Sequence, residues 1–247
     1  MNLALSDEQE FLREAARGAL SRHKTVEAAR EALEDPGKLP DLWPMAVEAG
    51  WPGLLIDESH GGAGLDVFDA MLVAEECGRV LAGVPLLGVV PATAILNAAG
   101  DGSLQEVAAG ELRPVYLPAR PPSDLEPAWT VEPESGARRA GAPRATVDGD
   151  DVSFEGSVWF VPDAPGADLL VAIGATEDGT AVAAAIDAAA EGVAVEPVSV
   201  YDATRSLGNV TLSGARGRRL AVGAEALADA WFVAQSLLAA ESVGAVQ

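Results

Sequence analysis

The sequence predicts an α+β chain: helices over about residues 1–112, an antiparallel β-barrel or sandwich over about 113–222, and a helix over 223–247. Three observations predict it. Apolar residues recur at helical spacing up to about Gly110. From Arg113 to Ala221 they fall in short runs separated by Asp-Gly, Pro and Gly clusters, the punctuation of an all-β layer. After Gly223 an Ala-rich helical pattern resumes.

Each helix carries its own signal. Ser6 caps the first, and Gln9 three residues on completes a capping box. Phe11, Leu12, Ala15, Ala16, Ala19 and Leu20 then form one apolar stripe. A second helix over about 42–49 stops at Gly50, the residue type that most easily ends a helix left-handed. An apolar link, 51–56, leads into a Gly-rich turn, 59–65. Asp66 opens a third helix with Phe68, Met71, Leu72 and Glu75 on successive turns, ending near Gly78; a fourth covers about 89–99 and closes at Gly100. In the last segment, Ala230, Phe232, Val233, Leu237 and Leu238 are expected to form one buried face.

Strands are expected over 152–154, 158–161, 169–173, 181–186, 193–200 and 209–212. The stretch from Gly156 to Ala172 reads as a hairpin with Trp159 buried in mid-strand, because Pro162, Pro165 and Gly166 break the two runs they separate. Residues 121–144, rich in Pro, Glu, Arg and Gly, are expected at the surface.

Charge narrows the function classes. Lys and Arg number 16 against 38 Asp and Glu, a net charge of −22, which repels phosphate backbones and anionic lipid. Neither nucleic acid nor a membrane is expected as a partner, and a polyanionic ligand would need local basic groups. Cys77 is the sole cysteine, so no intrachain disulfide can form; His23 and His60 are too few and too far apart for a metal site. The amino terminus has no basic start or long apolar core, and no run approaches the ~20 apolar residues of a membrane helix. A soluble cytoplasmic protein is expected.

Several collinear motifs resemble the acyl-CoA dehydrogenase family. The stretch Ala49-Gly50-Trp51 and the run from Ile56 to Leu65 resemble its Glu-Leu-Gly-Trp segment and its Pro-Glu-x-x-Gly-Gly-x-Gly loop, with Asp57 at the Pro. Glu75-Glu76-Cys77-Gly78-Arg79 resembles its Glu-Glu-x-Gly-Arg, and Asp202-Ala203-Thr204-Arg205 its Asp-x-Thr-Arg. Gly156 to Val161 resembles its Gly-x-x-x-Trp-Ile-Thr strand, with Val161 at the Thr. The run from Leu117 to Asp124 resembles its Leu-Thr-Glu-Pro-Gly-x-Gly-Ser-Asp loop, with Pro118 at the Thr and Pro121 and Pro122 where glycines stand.

The resemblance implies a helical amino-terminal domain (1–112), a β domain (113–222), and 223–247 as the first helix of a truncated carboxy-terminal bundle. It implies α,β-dehydrogenation of an acyl-CoA with FAD as hydride acceptor, and oligomers with like or paralogous subunits. Cofactor contacts fall on Tyr116, Leu117, Ser123, Trp159 and Val161; the catalytic base falls on Glu241, a carboxylate in an apolar helix. A solvated Glu241 is the alternative, as is an Arg205 that forms a structural ion pair with Asp202 or a neighbour rather than meeting a phosphate. Pro118, Pro121, Pro122 and Val161 lack the donors and small size a flavin loop uses. The chain by itself is therefore expected to bind FAD weakly or not at all. A non-catalytic, flavin-deficient subunit is the second reading.

Overall fold

A computed structural model describes residues 4–120, 129–132 and 138–247. Helices α1 (Asp7–Leu20), α2 (Thr25–Glu31), α3 (Trp43–Glu48), α4 (Val67–Arg79), α5 (Leu86–Ala99) and α6 (Leu104–Ala108) come first. Strands follow: β1 (Pro114–Tyr116), β2 (Thr130–Glu132), β3 (Arg138–Ala140), β4 (Arg144–Asp148), β5 (Asp151–Pro162), β6 (Leu169–Ala175), β7 (Ala181–Asp187), β8 (Val193–Val198) and β9 (Leu207–Leu220). Helix α7 (Ala224–Val246) returns to the helical layer.

Local chemistry accounts for the helix ends. The capping box of α1 forms as expected: the Gln9 N–H donates to Ser6 Oγ at 3.2 Å, and the Ser6 N–H to Gln9 Oε1 at 3.1 Å. Asp66 caps α4 in the same way through Phe68 and Asp69. The stripe on α1 is narrower than expected. Ala16 and Leu20 are buried, but Phe11 is 73% exposed, because α1 packs along α4 and its outer face meets nothing. Helix α5 is apolar all round and lies at the centre, against α7, α6 and β1.

The strands close into a barrel. Strand β5 pairs antiparallel with β4 and β9, β9 with β7, and β7 with β6. A single parallel pairing, Arg144 with Ala175, joins β6 back to β4. Strand β1 adds parallel to β6, so the layer is not wholly antiparallel, and β8 adds to β9. The strands expected over 152–154 and 158–161 are one strand, β5. Gly156 sits mid-strand at φ +140° and bends it.

The expected hairpin does not form. Both edges of β5 are taken by β4 and β9, so the 162–168 connection carries the chain to β6 without pairing the two strands. Trp159 is half-buried, not buried. Strands β1 and β4 carry no alternating pattern long enough to read. Their places are set by β6 and β5.

Three apolar clusters hold the molecule: one within the helices, one inside the barrel, and one joining them. The joining cluster packs Ile95, Leu96 and Ala230 on Tyr116, Val171 and Leu220. Helix α7 buries Leu227, Ala230, Val233, Leu237, Ala240 and Glu241, whereas Phe232 and Leu238 face outward, 61% and 48% exposed. The expected face is thus rotated, because α7 packs on α4 and α5 as well as on the barrel. At its crossing with α4, backbone meets backbone: a Cβ on Gly78 would overlap the Glu241 carbonyl, and one on Gly244 would overlap that of Glu75.

Gly244→Ala is accordingly expected to lower stability by about 2 kcal/mol or more, the usual cost of overpacking. Urea denaturation checks the loss, and limited proteolysis within α7 checks that this helix undocks first.

Candidate functional site

Two cavities flank the joints of the fold. One, of about 700 Å³, lies between the barrel and the start of α7; Ala119, Arg120, Trp129, Ile173, Leu220 and Leu227 are among its walls. The other, of about 410 Å³, lies at the seam between the helical layer and the barrel, near Leu42, Pro85, Arg113, Asp163 and Arg205.

Beyond β1 the chain reaches the first cavity at Ala119 and Arg120. Tyr116 is 1% exposed; its hydroxyl donates to the Ala119 carbonyl at 3.1 Å and accepts the Ala119 N–H at 3.2 Å. Burial, partly offset by that bonding, pushes the phenol up to about 12. Leu117 is buried in the barrel interior and its N–H donates to Val171 at 3.0 Å. The Arg120 N–H donates to the Trp129 carbonyl at 2.9 Å. Val161 is fully buried in the same interior as Leu117. Beside it Phe160 has φ +55° and donates its N–H to Asn209 Oδ1 at 3.2 Å, a bulge that buries both Val158 and Val161. Ser123 lies outside the described residues.

Glu241 is elsewhere. It is 7% exposed, not solvated, and its carboxylate forms an ion pair with Arg205 from the loop between β8 and β9. The alternative pairing of Arg205 with Asp202 is not made. Asp202 instead accepts the Thr204 N–H at 3.0 Å and the Thr204 hydroxyl at 2.7 Å, shaping the loop that carries Arg205. Cys77 is buried near this pair, and desolvation pushes its thiol up to about 12, which leaves it unreactive. Glu58 and Ser59 lie in an exposed turn with His60 at its end.

Two residues of the seam escape sequence reading. Asp163 lies between prolines and passes for a turn residue, yet it is buried, has φ +63°, and accepts the Gly88 N–H at 2.9 Å, so it caps α5 from the barrel side. Burial raises its carboxyl to about 6, against the pull of Gly88, Arg205 and Arg113. Arg113 stacks 4.4 Å from the centroid of the Trp43 ring. Its guanidinium is placed by an aromatic partner 70 residues away in sequence.

A family model for the acyl-CoA dehydrogenase N-terminal domain matches residues 6–118. The acyl-CoA dehydrogenase IpdE2 of Mycolicibacterium smegmatis is 39% identical over 109 residues, 43% of this chain and 35% of that protein. The protein of the same name from Mycobacterium tuberculosis is 37% identical over 101 residues, 40% of this chain and 32% of that one. A variant of the Tcur3481-Tcur3483 steroid ACAD superposes with a TM-score of 0.78 at 27% identity, covering 96% of this chain and 63% of that chain. The ChsE4-ChsE5 complex from Mycobacterium tuberculosis superposes at 0.75 and 23% identity, covering 94% and 62%, a likeness of fold. The matched stretch is about a third of each curated relative, and the chain spans under two thirds of each solved one.

The seam makes two expectations measurable. Because the folded carboxyl of Asp163 titrates near 6 against an ordinary 3.8, the folded state binds its proton more tightly than the unfolded state does. Stability gained from this group is full below about pH 4 and is lost as pH rises through 6, by about 3 kcal/mol in all. Asp163→Asn, which keeps an acceptor for Gly88, is expected to remove that pH-dependent part from denaturation curves taken between pH 4 and 7. Glu241→Ala is expected to cost about 3 kcal/mol, since it leaves Arg205 without its partner. The paired replacement of Arg205 by Met and Glu241 by Leu is expected to cost less, and a double-mutant cycle in urea checks it.

Proposed function

Since this chain belongs to the acyl-CoA dehydrogenase family, we propose that it serves the α,β-dehydrogenation of an acyl-CoA thioester, FAD being the hydride acceptor of the assembly. Its own part is to hold the thioester in the groove between the barrel and α7. The observation that carries this reading is the groove's lining. Trp129, Ile173, Leu220 and Leu227 offer an apolar wall to an acyl-pantetheine arm, and Arg120 and Arg219 supply basic residues in a chain of net charge −22. Such a site suits a ligand with a greasy arm and phosphates at one end.

Whether this chain also holds the flavin turns on its donors, and the described residues do not fit one. The N–H groups of Leu117, Ala119 and Arg120 are bonded within the protein, Pro118 has none, and the Tyr116 hydroxyl is engaged with Ala119. Val161 presents no hydroxyl and is sealed in the barrel. These contacts are the ground for keeping a second reading beside the first, a flavin-deficient subunit working beside one that carries FAD. We assign Glu241, held by Arg205, to fixing α7 against the barrel loop, and the base to the flavin-bearing partner. Phe232, Leu238 and Val243, exposed along α7, support an assembly of subunits.

Calorimetry with octanoyl-CoA is expected to show binding that Leu227→Trp, which fills the groove, weakens tenfold or more. Flavin absorbance of the purified chain mixed with FAD is expected to vanish on dialysis. Absence of thioester binding would sink the groove assignment, and stoichiometric flavin surviving dialysis would return the flavin site to this chain.

A further inference from the structure

The cavity at the seam lies apart from the thioester groove and has a chemistry of its own. Its walls come from both layers: Leu39, Leu42, Leu81 and Pro85 from the helical side, Asp163 and Leu207 from the barrel side. Two cations line it, and they differ. The charge of Arg205 is taken up by Glu241. Arg113 forms no ion pair among the described residues; its guanidinium rests on the Trp43 ring, and its backbone is clamped by the Asp168 carboxylate at 2.9 Å. Asp163, the buried acid of the cavity, is bonded to the Gly88 N–H and is not in ion-pair contact with either guanidinium.

Backbone strain points to the same place. Among the described residues three non-glycines have positive φ, and two of them, Leu81 at +52° and Asp163 at +63°, line this cavity. A left-handed leucine is costly, and such strain clusters at ligand sites. Leu81 is also 40% exposed, an apolar side chain held at the cavity with part of its surface uncovered.

We propose that this cavity binds an amphipathic monocarboxylate, its apolar body against Leu39, Leu42, Leu81 and Pro85 and its carboxylate on the Arg113 guanidinium. The planar guanidinium matches a carboxylate in a bidentate pair, and stacking on Trp43 fixes its orientation beforehand, so little side-chain freedom is lost on binding. The cavity's volume is within the range of small-molecule sites. Occupancy would join the two layers at their seam, which α5 and the Asp163 cap also bridge.

Calorimetric titration of the whole chain with sodium hexanoate tests it, with hexan-1-ol as the neutral probe of equal length. Hexanoate is expected to bind at least tenfold more tightly than the alcohol, and Arg113→Gln is expected to erase that preference. Arg113→Lys keeps the charge without the bidentate fork and is expected to fall between. Leu39→Trp, which fills the cavity without touching a charge, is expected to abolish binding of both probes while leaving octanoyl-CoA binding unchanged. Far-ultraviolet circular dichroism identifies any variant that fails to fold, and the remaining variants then decide. Hexanoate binding no tighter than hexanol, or binding that survives both Arg113→Gln and Leu39→Trp within twofold, overturns the proposal.

Discussion

Everything at the joint between helices and barrel depends on how closely α7 approaches α4. Gly78 and Gly244 face each other's helices with no side chain between them, and each stands where a Cβ would overlap a carbonyl of the other helix. That contact sets the depth of α7. The depth buries Leu237 and Val233 in the helical core, turns Ala230 toward the barrel, and brings Glu241 to Arg205. A bulkier residue at either glycine would move all of these together, since packed interiors transmit displacement rather than absorb it.

Polar contacts then tie the two layers at separate points. Glu241 on α7 meets Arg205 on a barrel loop; Asp163 on the barrel caps α5; Asp101, after α5, binds Arg218 of β9, with one contact at 3.0 Å. Each joins residues far apart in sequence, and each places a buried carboxylate against a cation or a helix amide. Buried pairs of this kind add little net stability but penalise any other docking, because a shifted layer would strand a charge. Such contacts therefore select the docking geometry more than they strengthen it. The apolar cluster between Ile95, Tyr116, Val171 and Leu220 supplies the attraction.

After β1 the backbone amides of Leu117, Ala119 and Arg120 are all bonded within the protein. The chain reaches the groove at Ala119 and Arg120, and the amides are spent on Val171, on the Tyr116 hydroxyl and on Trp129. Proline at 118 removes one donor, and Tyr116 consumes another. The groove itself has an apolar wall with Arg120 and Arg219 among its lining residues.

Much was legible in the amino-acid sequence because it is written in local chemistry. The capping box at Ser6, the helix start at Asp66, the stop at Gly50 and the helical periods of α1 and α4 depend on residues within one or two turns. The switch from period 3.6 to short β runs gave the order of the layers, and collinear motifs gave the family. What failed was whatever depends on a neighbour distant in sequence. The runs 152–154 and 158–161 read as two strands but form one, bent at Gly156; 156–172 reads as a hairpin but β5 has both edges occupied; Phe232 and Leu238 read as core but face outward. The partners of Glu241, Asp163 and Arg113 were likewise invisible, since Arg205, Gly88 and Trp43 lie 36 to 75 residues away. Local propensity and period are properties of a segment. Edge occupancy, helix rotation and the pairing of buried charges are properties of the packed whole, decided only when the chain closes on itself and desolvation makes every unpaired group costly.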